Sequence, residues 1–224
     1  DTVEGFELVP EDCLQLVIKH VRGTRPPLRG SHNWHVLIEA TTTKAVIDVG
    51  GQLERLLGQA LEEGMIGDAV LASSEAQAIA FWKIRDLISE AERAEGQTLA
   101  HDVSVAVADM PRFIVEASAA VEEKFPGVTA TGFGHLGDGN IHFHVRAGSH
   151  GSRDWYQREG EEITRFVDDL VTAAGGSISA EHGIGQLKRA ELARLASPGR
   201  IHALRAIKHA LDPLGIMNPG KLIP

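Results

Sequence analysis

The side chains best suited to chemistry fall in two clusters. His135 and His142 flank Asp138 and Asn140 in the glycine-rich stretch that begins Gly132-Phe-Gly134-His-Leu-Gly137. Glu181 and His182 follow in Ser179-Ala-Glu181-His182-Gly-Ile-Gly185, a glycine-bounded turn after a short apolar run. Two imidazoles and a carboxylate are a sufficient donor set for a catalytic Zn²⁺, Mn²⁺ or Fe²⁺, with positions left for water or substrate. His-x6-His with a distant Glu is no standard metal signature, so a second reading stands beside it: partly buried histidines bonded to backbone carbonyls. The first cluster also matches G-x-G-x-x-G. That fingerprint needs a helix opening at the loop to hold a pyrophosphate, whereas here the chain enters an alternating strand at Asn140. The glycines read instead as backbone freedom in a tight turn between strands.

The elements that must position these groups follow from hydrophobic period. Val128–Gly134 and Asn140–Arg146 are extended stretches; Ile141, Phe143 and Val145 share one face of the second, and His142, His144 and Arg146 the other. His144 reads as a supporting or surface residue on that strand. Upstream, Trp34–Ala40 alternates as a strand, and 52–61 puts Leu53, Leu56, Leu57 and Ala60 on one helical stripe. Ala69–Ala72 reads as a short strand, and Ser74-x-x-Gln77 opens a helix running to about Ala94. Val103–Val107 alternates again, and Asp109 with Pro111 opens a helix that ends at Phe125-Pro126-Gly127. Trp155–Ala173 is a long amphipathic helix, Ser177–Ala180 a short strand, and Ser197-Pro198 opens a last helix that Pro213 ends. Strands and helices in this alternation imply an α+β or α/β sandwich. The expected flexible links are 21–32 and 148–153.

Composition narrows the class. The 224 residues are 43% hydrophobic and 24% charged, with a net charge of −9, the profile of a globular chain with a packed core rather than a disordered or fibrous one. No run reaches the roughly 18 to 20 apolar residues of a spanning helix, and no basic-then-apolar leader opens the chain. The single cysteine, Cys13, excludes an internal disulfide framework and a thiolate zinc cluster, which makes the cytoplasm the expected compartment. An acidic sum argues against nucleic acid. The charge is uneven: from Glu181 onward seven Lys/Arg face three acidic residues, or +4, leaving −13 on the first 180.

Three motifs carry a resemblance. Gly134-His-Leu-Gly-Asp-Gly-Asn-Ile-His142, then Gly176-Ser-Ile-Ser-Ala-Glu-His-Gly-Ile-Gly185 with Lys188, then Ile207-Lys-His-Ala-Leu-Asp-Pro-Leu-Gly-Ile-Met-Asn-Pro-Gly-Lys221, resemble in this order the C-terminal domain of FAD-linked D-2-hydroxy-acid dehydrogenases. The resemblance spans nearly the whole chain. It implies an α+β fold, a ferredoxin-like antiparallel sheet with helices packed on it and a C-terminal helical segment. It further implies that His135, His142 and Glu181 bind a divalent metal, zinc by expectation, and that His182 is the catalytic base. Arg85, Ser89 and Asn140 take substrate-binding places; for Arg85 an exposed helix charge is the plainer reading. Asn218 and Lys221 are expected to face the cofactor, although Asn-Pro-Gly is also an ordinary turn. One departure stands out: where the family commonly has a lysine, this chain has Ala100.

The implied reaction oxidises a small D-2-hydroxy acid to the 2-oxo acid by hydride transfer to FAD. No side chain accepts a hydride, and this chain shows no glycine-rich flavin segment. The expectation is therefore the substrate half of a flavoenzyme, with its own N-terminal FAD domain as partner and a second copy of the chain as a further candidate. Asp1 in place of Met fits a processed piece or fragment. Two other readings compete: a metal-dependent hydrolase on the same three ligands, and a non-catalytic interaction module.

Overall fold

The computed structural model of the chain describes residues 2–44, 46–148 and 154–224. Its elements run β1 (Val3–Pro10), α1 (Glu11–His20), β2 (Trp34–Ala40), α2 (Val49–Glu62), α3 (Glu75–Asp86), α4 (Ile88–Glu95), β3 (Thr98–Ser104), α5 (Met110–Lys124), β4 (Val128–His135), β5 (Asn140–Ala147), α6 (Trp155–Ala173), α7 (Arg189–Leu195) and α8 (Pro198–Leu211). The described strands form one sheet in the order β2-β1-β4-β5-β3, every neighbouring pair antiparallel. The α+β expectation and the C-terminal helices are both present.

Period-two alternation sorts the sheet into two apolar faces. Leu99, Val103, Ile141, Phe143 and Val145 pack against Phe113, Ile114 and Val121 of α5 and Ile163, Val167 and Val171 of α6. On the other side Val9 and Phe133 meet Cys13, Leu14 and Val17 of α1 with Ile84, Ile88 and Ala91 of α3 and α4. Each buried Val, Leu, Ile or Phe among them contributes roughly 1.5–3 kcal/mol, so the sheet is packed from both sides where it carries polar groups. The helices start where sequence places caps: Ser74 Oγ accepts from Gln77 N, and Ser197 Oγ accepts from Arg200 N.

Several local expectations are corrected. β1 and α1 precede the first expected strand. Ala69–Ala72 forms no strand; the Asp68 carboxylate turns back to accept the Ala69 N–H. The strand expected at Val103–Val107 lies earlier, at Thr98–Ser104, because Ser104 pairs with Asn140, the first residue of β5, and the ladder has no further partner. The single helix expected from Ser74 breaks at Leu87, whose φ of −94° and ψ of 6° leave helical geometry. Ser177–Ala180 reduces to one antiparallel bridge, Ser177 to Ser104. Of the expected links, 21–32 contains no helix or strand; in 148–153 all but Gly148 lies outside the described residues.

Candidate functional site

The first cluster is built by the β4–β5 hairpin. His135 and Asn140 face each other across its turn, and Phe133 pairs with His142, so His135 and His142 sit on one face. Their ring centroids are 5.5 Å apart. The turn closes through Asp138, whose carboxylate accepts the Asn140 N–H at 2.9 Å, and through Gly139, whose carbonyl accepts from Val105 N at 3.1 Å. Gly139 has φ +80°, and a Cβ there would lie 2.1 Å from the Val105 oxygen, so the position requires glycine. The hairpin confirms that G-x-G-x-x-G is a strand-to-strand turn here.

The second cluster is delivered by a buried carboxylate. Asp102 on β3 stands opposite His142 in register and is 3% exposed. Its Oδ2 accepts from the backbone N–H of Glu181 at 2.9 Å and of His182 at 2.8 Å, and lies 3.7 Å from His182 Nδ1. The Lys188 ammonium donates to the Asp102 and Ile178 carbonyls at 3.2 and 2.6 Å. Burial lowers the Lys188 pKa against the opposing pull of Asp102 and Asp168. The Glu181–His182 turn is thus tied to the sheet at the level of His142. One ligand atom each from His135, His142 and Glu181 then lies within 4.8 Å of the others, and His135 Nε2 is 3.8 Å from Glu181 Oε1.

The surroundings suit a cation and a polar ligand. An open cleft of about 280 Å³ is lined by His135 and Glu181 together with the acidic residues Glu4, Glu7 and Asp138. His142 has a lowered pKa, chiefly from burial and then from the charges of Arg85 and His135, which keeps a lone pair for coordination. Asn140 is 2% exposed, yet neither amide atom has a hydrogen-bond partner among the described residues. Buried unpaired amides are rare, and one beside a possible ligand set fits a site completed by a bound molecule.

Arg85 is no exposed helix charge. It is 8% exposed, stacks over Phe133 at 5.2 Å and donates from Nε to Glu7 Oε2 at 2.7 Å. Ser89, on α4, is half-buried, and its hydroxyl has no hydrogen bond among the described residues. His144 is buried against Phe133 with Nδ1 unpartnered, and burial lowers its pKa to about 3. Ala100 is its cross-strand partner, so the place where the family commonly has lysine is occupied by a methyl group beside an uncharged imidazole. Asn218 and Lys221 are exposed on the C-terminal segment, and among the described residues neither side chain makes a hydrogen bond or ion pair with the cluster. That segment returns to the site's turn, since Leu222 N donates to Gly185 O at 2.9 Å.

Glu7 and Asp102 escaped the sequence reading. Glu7 lies on β1 on the same face as Val9, in a stretch whose polar residues do not alternate; Asp102 alternates with Leu99, His101 and Val103 on a strand expected a few residues later. An acidic residue on such a strand marks a solvent face by default, and only packing from α1 and α3 or from the 181–182 turn reverses that.

The family described as FAD linked oxidases, C-terminal domain, matches residues 2–222, and the chain belongs to that family. It is 33% identical over 224 residues to a mitochondrial D-2-hydroxyglutarate dehydrogenase of Arabidopsis thaliana, covering 100% of this chain and 38% of the relative. It is 38% identical over 227 residues to a D-2-hydroxyglutarate dehydrogenase of Stutzerimonas stutzeri (strain A1501), covering 97% of this chain and 46% of the relative. A mitochondrial D-2-hydroxyglutarate dehydrogenase of Rattus norvegicus is 29% identical over 228 residues, covering 100% of this chain and 40% of its own length. The chain spans less than half the length of these relatives. Among the described residues no helix is long and apolar enough to cross a membrane.

Proposed function

We propose that the chain is the substrate- and metal-binding half of a flavin-dependent dehydrogenase that oxidises a D-2-hydroxy acid to the 2-oxo acid. The observation that carries the reading is the convergence of His135, His142 and Glu181 beside the orphan amide of Asn140, with His182 next in the turn that carries Glu181, in a chain whose family is FAD-linked. That some relatives are D-2-hydroxyglutarate dehydrogenases supports a 2-hydroxy acid as the substrate class.

His135, His142 and Glu181 would hold a divalent ion, zinc by its borderline preference for imidazole with carboxylate. When bound, such an ion supplies Lewis acidity that lowers the pKa of a coordinated hydroxyl, and the flavin, when bound, accepts the hydride from the α carbon. The chain's own residues do the rest. His182, held at its backbone by Asp102, takes the hydroxyl proton as general base. Arg85 presents its two Nη groups to the substrate carboxylate, a planar bidentate match. Asn140 orients the substrate through its buried amide, and Ser89, four residues past Arg85 at the start of α4, supplies a hydroxyl that assists. Asn218 and Lys221, on the +4 segment, face the FAD-binding portion, which lies N-terminal to this chain in the whole protein.

Elemental analysis of the whole protein, with dye-linked oxidation of a panel of D-2-hydroxy acids, tests the reading. The expected result is a yellow protein carrying a stoichiometric divalent ion, with acid-dependent dye reduction lost on chelation. A colourless, inactive whole protein, or ester or amide hydrolysis without any electron acceptor, overturns it.

A further inference from the structure

Glu7 is 4% exposed, and both of its carboxylate oxygens are used, each by a residue of the site. Oε1 lies 2.6 Å from His135 Nδ1, and Oε2 accepts from Arg85 Nε at 2.7 Å. The backbone reinforces this arrangement, because Glu7 and His135 are register partners between β1 and β4 and Leu136 N donates to Phe6 O at 2.8 Å. We propose that Glu7 is the positioning residue of the centre: one buried carboxylate fixes the tautomer of His135 for metal binding and aims Arg85 at the substrate's carboxylate.

The chemistry of the donors and acceptors leads there. Arg85 Nε–H can only donate, so Oε2 must accept. An ionised Oε1 can also only accept, so the proton between it and His135 resides on Nδ1. Nε2 is then the atom with a free lone pair, and it is the nitrogen that lies 3.8 Å from Glu181 Oε1. A metal-bound histidine characteristically donates its other N–H to a carboxylate, which orients the ring and strengthens the ligand. On the other side, holding Arg85 by Nε while Phe133 supports the guanidinium plane leaves both Nη groups without a hydrogen-bond partner among the described residues. The fork is thus set for a second carboxylate. Glutamine, equal in size, cannot do both jobs. If its carbonyl accepts from Arg85, its amide donates to His135 Nδ1 and moves the ring proton to Nε2, blocking the ligand atom; if its carbonyl accepts from His135, its amide confronts the Arg85 N–H.

This inference rests on the metal reading above for one of its two consequences, and the experiment separates them. In histidine-¹⁵N-labelled protein before zinc is added, the ring shifts should report His135 as the Nδ1–H tautomer. Zinc affinity, measured by competition with a chromophoric chelator, should fall 10–100-fold in Glu7→Gln, and the KM of the whole enzyme for its acid should rise at least tenfold. Arg85→Lys should raise KM to a similar degree and leave zinc affinity within twofold. An Nε2–H tautomer at His135, or zinc affinity and KM both within twofold of wild type in Glu7→Gln, overturns the role of Glu7. Wild-type protein that binds no zinc overturns the metal reading instead, and the KM of Glu7→Gln then decides the role of Glu7 in holding Arg85. Should Glu7→Gln fail to fold, the tautomer in wild-type protein decides.

Discussion

Asp102 is where a single atom holds the most chemistry in place, which makes its removal the sharpest test of the site. Its Oδ2 receives the N–H groups of Glu181 and His182, while Oδ1 is buried with no partner among the described residues. Hydrogen bonds to a charged acceptor contribute about 1.5–3 kcal/mol each. In Asp102→Ala both are lost, and water reaching the part-exposed turn offsets some of it, leaving about 3 kcal/mol less preference for the turn that presents Glu181 and His182. At about 1.4 kcal/mol per factor of ten, that is roughly a hundredfold fall in kcat/KM for acid-dependent dye reduction. Global stability should fall by less, because the substitution also removes the unpaired, desolvated Oδ1. Asp102→Asn keeps a neutral acceptor and should fall between wild type and Asp102→Ala. The assays are steady-state kinetics on the whole enzyme and urea unfolding of each variant. A folded Asp102→Ala protein with kcat/KM within threefold of wild type refutes the claim that Asp102 positions the turn.

Other outcomes follow from particular residues. Gly139→Ala forces a side chain into left-handed backbone and into the Val105 carbonyl, so a loss of about 2 kcal/mol or more is expected in denaturant unfolding, with loss of zinc binding in the folded fraction. Asp168, 2% exposed, has its pKa raised by burial from 3.8 to about 6, partly countered by Lys188. A folded-state pKa above the unfolded one means that the stabilisation is complete below pH 3.8 and is lost as pH rises through about 6. Asp168→Asn should therefore be more stable than wild type at pH 7.5, by up to about 3 kcal/mol, and lose that advantage at pH 4; urea unfolding at the two pH values measures it. Lys221→Ala should weaken flavin retention in the whole protein, read by absorbance after gel filtration, and leave zinc affinity unchanged.

Much of the site was readable in residue order. The alternation through Asn140–Ala147 already put His142 and His144 on one face, and a strand after the glycine turn already excluded a pyrophosphate loop. These are properties of neighbours along the chain, where period and turn chemistry act. What the linear pattern does not carry is which distant carboxylate meets which ring. Ala100, a methyl among polar neighbours, likewise acquired its setting only when β3 was found opposite His144.

By itself, then, the sequence determined the candidate side chains and the hairpin that brings His135 near His142, and it left the element pattern between α+β and α/β until the resemblance pointed to α+β. Only the tertiary structure decided that Glu7, 128 residues before His135, is buried between that ring and Arg85, and that Asp102, 79 residues before Glu181, anchors the turn carrying it and His182. The physical reason is burial. An acidic residue on a strand belongs in water until helices and a crossing turn cover it, and once covered it must find partners that donate to it.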